Sequence, residues 1–427
     1  MSDAAMLTAG DLAGFVDASP TPFHAVAEMA RRLEAAGFAR LDETAVWSLA
    51  AGDRRYVVRE GSLVALRVGR QAPSDAGFRL VGAHTDSPTF RVRPRHDVTR
   101  AGYRLVGVEP YGGALAYTWL DRDLTLAGRV ALRDGDGVTT RLVRLPGAPL
   151  RIPSLAIHLQ RELRQEGLKL DPQRHLVPVA GLDEGPELRA AVADALGVDS
   201  ADVLDADLVT VDTQPAAVGG AEGAFLFAPR LDNLSSCAAG LIALIEAPDA
   251  DVTQVLVAND HEEVGSGTAA GAQGPFLADV LARVVAAVEP DSPQALAIAL
   301  ARSRLVSADA AHAVHPNHAD RHEPSHQPRF GDGPVLKVNA DQSYATDAVS
   351  AAWFATACEE AGVGLQHFVT RADLPCGSTI GPLTATRLGV ATVDVGAPLL
   401  SMHSVREQVA PADVAALAAA LRAHLAR

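Results

Sequence analysis

Apolar residues recur at helical spacing near the start of the chain. Phe23, Val26, Met29 and Leu33 follow Thr21-Pro22, an N-cap and first-turn pair, and Gly37 stops the run, which predicts a helix over about 22–36. Short apolar runs at 56–58, 63–68 and 78–83, each bounded by Gly, Asp or Ser, predict strands. From about Arg95 to Gly223 the texture changes to short alternating segments and hairpin-like turns, such as 129–132 and 139–145 around Asp134-Gly135-Asp136-Gly137. Two amphipathic helices are expected within that stretch, at about 155–165 and 186–196. Beyond Phe225 the pattern is strand and helix in turn: a helix from Asp232 to about Ala247, strands at 254–258 and 305–307, a helix over 345–361, a strand at 390–395 and a final helix from Pro411. Such alternation implies an α/β fold, a mainly parallel sheet with helices on both faces. The β-rich stretch then reads as an insertion, giving one discontinuous domain of 1–94 and 224–427 and a second of 95–223.

A chain of 427 residues has room for two or three domains and a large core. Lys plus Arg total 37 against 52 for Asp plus Glu, and a net charge of −15 disfavours nucleic acid or an anionic membrane as a partner. Apolar residues at 48% and charged residues at 21% exclude wholesale disorder. Cys237, Cys358 and Cys376 are widely spaced with no CxxC pair, so neither a disulfide framework nor a thiolate zinc site is available, which fits a reducing cytoplasm. No basic segment followed by an apolar one opens the chain, and no stretch reaches the ~20 apolar residues of a membrane helix. The expectation is a soluble, unexported, cytoplasmic protein.

Groups with metal-ligand or acid–base character cluster where the expected strands end: His84 and Asp86 after 78–83, Asp260, His261, Glu262 and Glu263 after 254–258, Asp309 and His312 after 305–307, and His403 beyond 390–395. Ligands of open α/β sheets bind outside the carboxyl ends of strands, so one shared pocket is the economical reading. Singly, each has an ordinary explanation: a hydrogen-bonded loop pair for His84 and Asp86, an Asp cap in Arg230-Leu231-Asp232-Asn233, a solvated turn for Glu262-Glu263, a helix start at His403. Two adjacent carboxylates make sense if a cation holds one while the other faces substrate, since side by side they would raise each other's pKa. Imidazole and oxygen ligands without thiolate suit zinc, cobalt or manganese, and a carboxylate bridging ions about 3.5 to 4 Å apart is an arrangement of two-metal hydrolysis.

Five blocks together resemble the aspartyl aminopeptidases, dizinc exopeptidases that remove N-terminal Asp or Glu from peptides. They are Gly82-Ala83-His84-Thr85-Asp86-Ser87-Pro88, Pro229-Arg230-Leu231-Asp232-Asn233, Asp260-His261-Glu262-Glu263-Val264-Gly265-Ser266, the run from Ser307 to Asn317, and Ser401-Met402-His403-Ser404-Val405-Arg406-Glu407. The resemblance covers nearly the whole chain. It implies a doubly wound mixed-sheet catalytic domain of the zinc-exopeptidase type, interrupted by a β-rich dimerisation domain.

Carried over residue by residue, the resemblance implies that His84, Asp232 and Asp309 hold one ion and that Asp232, Glu263 and His403 hold the other, with Asp232 bridging. Asp86 would accept from the distal N–H of His84. Glu262 would be the general base. His312, Lys337 and Tyr344 resemble substrate-contacting residues. His158, which by spacing alone is a core histidine on an apolar helix face, matches a residue that reaches the neighbouring subunit's active site, and the family assembles tetrahedral dodecamers. Only Lys169 and Lys337 interrupt an otherwise Arg-based set of cations. Lys337 falls in the apolar run 335–338, where an ammonium needs an anion: the acidic side chain of a substrate, or an Asp of the protein itself.

Overall fold

The structure, a computed structural model, describes residues 7–147, 149–182, 185 and 187–427. The chain forms two compact units, one comprising the chain up to Asp86 with Ala216–Met402 and Glu407–Arg427, the other Ser87–Pro215 with His403–Arg406. These breaks fall a few residues before the expected 94/95 and 223/224. Thr89–Arg100 is one continuous strand whose Thr89 already pairs with Tyr111, and Ala217–Gly219 pairs with Phe225–Ala228, so neither expected boundary coincides with a change of sheet.

In the first unit a nine-stranded sheet runs in the order Ala39–Arg40, Arg54–Arg59, Ser62–Arg67, Thr253–Asn259, Phe78–His84, Arg304–Ala308, Ala391–Gly396, Val335–Val338, Gln366–Val369. Its centre, from Thr253–Asn259 to Ala391–Gly396, is parallel, while antiparallel pairs on either side make the whole sheet mixed. The period of two along these strands sorts their side chains onto two faces. Val81, Ala83, Leu256, Ala258, Val306 and Ala308 pack with the helices Ala9–Ala18, Pro22–Ala35, Leu231–Glu246, Ala348–Ala361 and Pro411–Leu425. Phe78, Leu80, Val255, Val257 and Leu305 pack with Phe276–Val288 and Ala295–Arg302. The sheet is therefore doubly wound, as expected. A five-stranded sheet in the same unit includes Ala311–His312 and Glu407–Val409.

The second unit is a six-stranded antiparallel sheet built on Thr89–Arg100, Tyr103–Tyr111, Leu124–Asp134, Gly137–Arg144, Val179–Leu182 and Val203–Asp212. It has its own core, in which Phe90 meets Trp119 edge-on at 5.1 Å and Leu188 and Val192 of the helix Leu188–Leu196 are buried. Pro186, where that helix was expected to begin, lies outside the described residues.

The helix expected at 155–165 does not form. A 3-10 turn, Ile157–Leu159, and a short helix, Leu163–Glu166, stand in its place, with Leu155, Ile157 and Leu159 exposed at 56%, 42% and 73%. A helix this short needs an apolar surface to pack against, and among the described residues these side chains are left largely uncovered. His158 is accordingly exposed, not a core histidine. Among the described residues no helix is long and apolar enough to cross a membrane.

Candidate metal centre

Three parallel strands and one helix start bring the site together. Phe78–His84 ends on His84, which is 1% exposed, and Cys237, on the helix Leu231–Glu246, donates its thiol to the His84 carbonyl at 3.0 Å. Arg304–Ala308 is followed by Asp309, whose N–H donates to Val395 of the adjacent strand at 2.8 Å. Asp232 lies in the first turn of the helix but has extended backbone angles, so it is not the simple cap the sequence allowed. Two side chains fix it there. The Glu407 carboxylate accepts its N–H at 2.9 Å, and the Asn233 carboxamide donates to the Ala308 carbonyl at 2.8 Å, tying the helix start to the strand end that carries Asp309. Sequence reasoning assigned no role to Asn233 or Glu407, although both lie within the matched blocks; both are buried in the folded chain.

The result is a buried triangle. His84 Nε2 lies 3.5 Å from Asp232 Oδ1 and 3.4 Å from Asp309 Oδ1, and the three donor atoms are within 4.8 Å of one another. Ligands about 2.0 to 2.1 Å from a tetrahedral zinc are separated by about 3.3 Å, so the group could hold one metal ion, and imidazole with carboxylates is a suitable donor set. Electrostatics agree. Burial disfavours a charged His84, yet hydrogen bonding to Asp232, Asp309 and Asp86 prevails and lifts its pKa well above the usual imidazole range.

Glu262 and Glu263 open the 3-10 turn Glu262–Val264 just beyond Thr253–Asn259. One oxygen of Glu262 is 4.0 Å from His84 Nε2, and both glutamates present carboxylate oxygens within 4.8 Å of the His84 ring and of each other. Burial, opposed by His84 and reinforced by Asp309, Asp86 and Asp232, raises the Glu262 carboxyl to about 7. Asp86 holds this turn: its two carboxylate oxygens accept the N–H groups of Glu262 and Glu263 at 3.0 and 3.1 Å. Its bond to the His84 ring is made by the main chain, Nδ1 lying 3.1 Å from the Asp86 carbonyl and 3.5 Å from the carboxylate.

The remaining candidates are placed as follows. His403 opens the segment that clusters with the second unit, where its Nδ1 donates to the Gly113 carbonyl at 3.1 Å and its own carbonyl accepts from Leu115 at 2.9 Å. That bond puts the ring's lone pair on Nε2. A side chain at position 113 would press on the imidazole, since a Cβ there would lie 3.2 Å from Nδ1. His158 is in the second unit. In the first unit, His312 and Tyr344 line a cavity of about 220 Å³ together with Arg321, His322, Phe368 and Arg371, and no Asp or Glu is among its lining residues. Lys337 is 2% exposed, and its ammonium is 3.3 Å from Asp309 Oδ2: the protein's own Asp is its anion.

The family Aminopeptidase I zinc metalloprotease (M18) matches residues 15–424. The probable M18 family aminopeptidase 2 of Pseudomonas paraeruginosa is 49% identical over 423 residues, 97% of each chain. Among solved structures, one from the complex of Ape4 with Nbr1 superimposes with a TM-score of 0.94 at 36% identity, covering 98% of this chain and 85% of that one. The S. cerevisiae mApe1 dodecamer gives 0.86 at 29% identity, covering 97% and 95%. The donor set built above is of the kind this family's description calls for, and the chain belongs to the M18 zinc metalloprotease aminopeptidases, the aspartyl aminopeptidase family its motif blocks resemble.

Proposed function

We propose that this aminopeptidase removes N-terminal Asp and Glu from peptides in the cytoplasm. The observation that carries the specificity is the cavity beside Tyr344: in a chain of net charge −15, its lining includes two arginines and two histidines and no carboxylate. Arg371 is already bound by Asp373 at 2.6 Å, whereas the nearest carboxylate to Arg321 is Asp320 at 3.9 Å, so Arg321 has the greater capacity for an incoming anion. His312 and Tyr344 would line the path of the acidic side chain.

His84, Asp232 and Asp309 would hold one ion, and Asp232, Glu263 and His403 a second, most simply zinc at both. When bound, the pair supplies Lewis acidity, polarising the scissile carbonyl and acidifying water. Glu262 would take the proton of the attacking water on its carboxylate and deliver it to the leaving amine nitrogen. Asp86 would keep that carboxylate aimed by holding the backbone on either side of it.

We also propose that the chain works as a homo-oligomer built from dimers, with the tetrahedral dodecamer as its full form and His158 completing a neighbour's site. The dodecameric mApe1 neighbour and the exposed Leu155, Ile157 and Leu159 around His158 support this. The test of specificity is hydrolysis of Asp-p-nitroanilide against Leu-p-nitroanilide by zinc-replete enzyme. A preference for Asp of at least about 100-fold in kcat/KM is expected, the discrimination available to a site built around a charged partner. Equal rates, or a preference for Leu, would refute acidic specificity while leaving the aminopeptidase assignment intact.

A further inference from the structure

Asp394 lies in the strand Ala391–Gly396, opposite Ser307 of the neighbouring strand, and is fully buried. A different segment of the chain takes each of its carboxylate oxygens. Oδ2 accepts the N–H of Ala345 at 2.6 Å, and Oδ1 accepts the hydroxyl of Thr379 at 2.7 Å. The N–H of Asp394 itself donates to the Thr346 hydroxyl oxygen at 3.0 Å. Thr379 is the N-cap of the helix Ile380–Leu388, where its Oγ1 accepts from the Gly381 N–H at 3.3 Å. That helix start is packed closely on the carboxylate, since a Cβ at Gly381 would lie 2.3 and 2.4 Å from its two oxygens. Both segments run on into the substrate cavity. It is lined by Tyr344, one residue before Ala345, and by Leu374, Pro375 and Gly377, which lead to Thr379.

We propose that Asp394 is a positioning residue for substrate binding. From a strand of the central sheet it ties the segment carrying Tyr344 to the segment 374–379, and so fixes the spacing of two walls of the cavity. A carboxylate suits the task because it offers two strong acceptors on one rigid group, one for each wall. Neither wall can shift without leaving a buried polar group unpaired. Asp394 is not among the residues lining the cavity, so its influence on substrate passes through Tyr344 and 374–379. The metal ligand Asp309 is held separately: the main-chain carbonyl of Val395 accepts its N–H, a bond that a changed side chain at 394 leaves in place. Loss of the tie should therefore weaken binding and spare the chemical step.

The inference rests on reading the cavity as the seat of the substrate's N-terminal side chain, and one set of variants separates the two. Steady-state kinetics with Asp-p-nitroanilide are measured on zinc-replete wild type, Asp394→Ala, Thr379→Val, Thr379→Ser and Tyr344→Ala, with zinc content by mass spectrometry and fold by circular dichroism. Tyr344→Ala, which removes a wall outright, should raise KM. Asp394→Ala should raise KM by at least about 10-fold with kcat and zinc content near wild type, the pattern of lost uniform binding. Thr379→Val, which cuts one arm of the tie, should raise KM by less, and Thr379→Ser, which keeps the hydroxyl, should restore it. Added to Asp394→Ala, Thr379→Val should cost little further in KM, because the bond it removes is already gone. A raised KM in Tyr344→Ala with unchanged KM in Asp394→Ala and Thr379→Val would overturn the proposal alone and leave Asp394 a residue of the fold. Unchanged KM in Tyr344→Ala would overturn the cavity reading and the proposal with it. Loss of zinc or of kcat in Asp394→Ala, with KM unaltered, would also overturn it, since Asp394 would then act on the metal centre. If Asp394→Ala does not fold, the contrast between Thr379→Val and Thr379→Ser decides, with the same expected and overturning results.

Discussion

At the residue scale, the centre depends on hydrogen bonds that residue spacing cannot specify. Asp86 is two residues from His84, and that spacing suggested a carboxylate on the imidazole; the shorter contact is made by the Asp86 carbonyl, and the carboxylate instead receives Glu262 and Glu263. Which acceptor serves the ring depends on the turn of the chain after the strand. The division of labour predicts the behaviour of Asp86→Asn. The carboxamide has one acceptor oxygen, so one of the two glutamate N–H groups must face an N–H₂, and the turn carrying the proposed base and ligand loosens. We expect kcat to fall about 10- to 100-fold at saturating zinc, with the fold unchanged by circular dichroism. Undiminished kcat would show that the carboxylate is not what aims Glu262. The same limit applies to Lys337: its need for an anion was legible from an ammonium in an apolar strand, whereas its contact with Asp309 belongs to the folded chain. Asn233 and Glu407 were visible in the sequence as letters of matched blocks, and their contacts belong to the folded chain alone.

At the element scale, the strands that carry the site were legible because each is almost wholly buried and reads as a short, mostly apolar run, and the helix Pro22–Ala35 because Thr21, Pro22 and Gly37 mark its ends. Ala9–Ala18, Phe276–Val288, Ala295–Arg302 and Ile380–Leu388 were not anticipated; they are short or dense in Ala and Val, and a near-continuous apolar run hides the helical period. The last helix, Pro411–Leu425, carries a testable pH dependence. His424 is fully buried in its final turn, stacked on Trp353 at 5.1 Å, with Nε2 donating to the Leu80 carbonyl at 3.2 Å. Burial, with Arg79 and Arg304 nearby, lowers its pKa from 6.5 to about 3. A depressed folded-state pKa means the unfolded chain takes the proton first. The stabilisation is therefore complete above about 6.5 and lost as pH falls toward 3, a total on the order of 5 kcal/mol from this group. His424→Gln can keep the donor to Leu80 and cannot charge, so its acid unfolding midpoint, followed by circular dichroism, should lie at lower pH than wild type. Identical midpoints would mean that His424 does not drive acid unfolding.

At the scale of the whole molecule, the segment around His158 makes little sense in an isolated chain. Leu155, Ile157 and Leu159 expose their side chains at 56%, 42% and 73%, and the helix their spacing suggested does not form. Large apolar side chains grouped in this way mark an interaction surface. If a second subunit covers them and receives His158, catalysis needs residues from two chains, and complementation follows. A subunit carrying His158→Ala keeps its own Glu262 and can borrow His158 from a neighbour carrying Glu262→Gln. Each variant alone should be strongly impaired, the second by about 10²- to 10⁴-fold if Glu262 moves the proton. Refolded together in equal amounts, half of randomly paired two-fold dimers are mixed and each mixed dimer holds one complete site of two, so activity should return to roughly a quarter of wild type. Mixing the variants after assembly, without subunit exchange, should restore nothing, which separates sharing across an interface from any effect in solution. Mixed oligomers verified by native mass spectrometry that remain as inactive as the parents would place His158 outside the catalytic site and leave the exposed segment a purely structural contact.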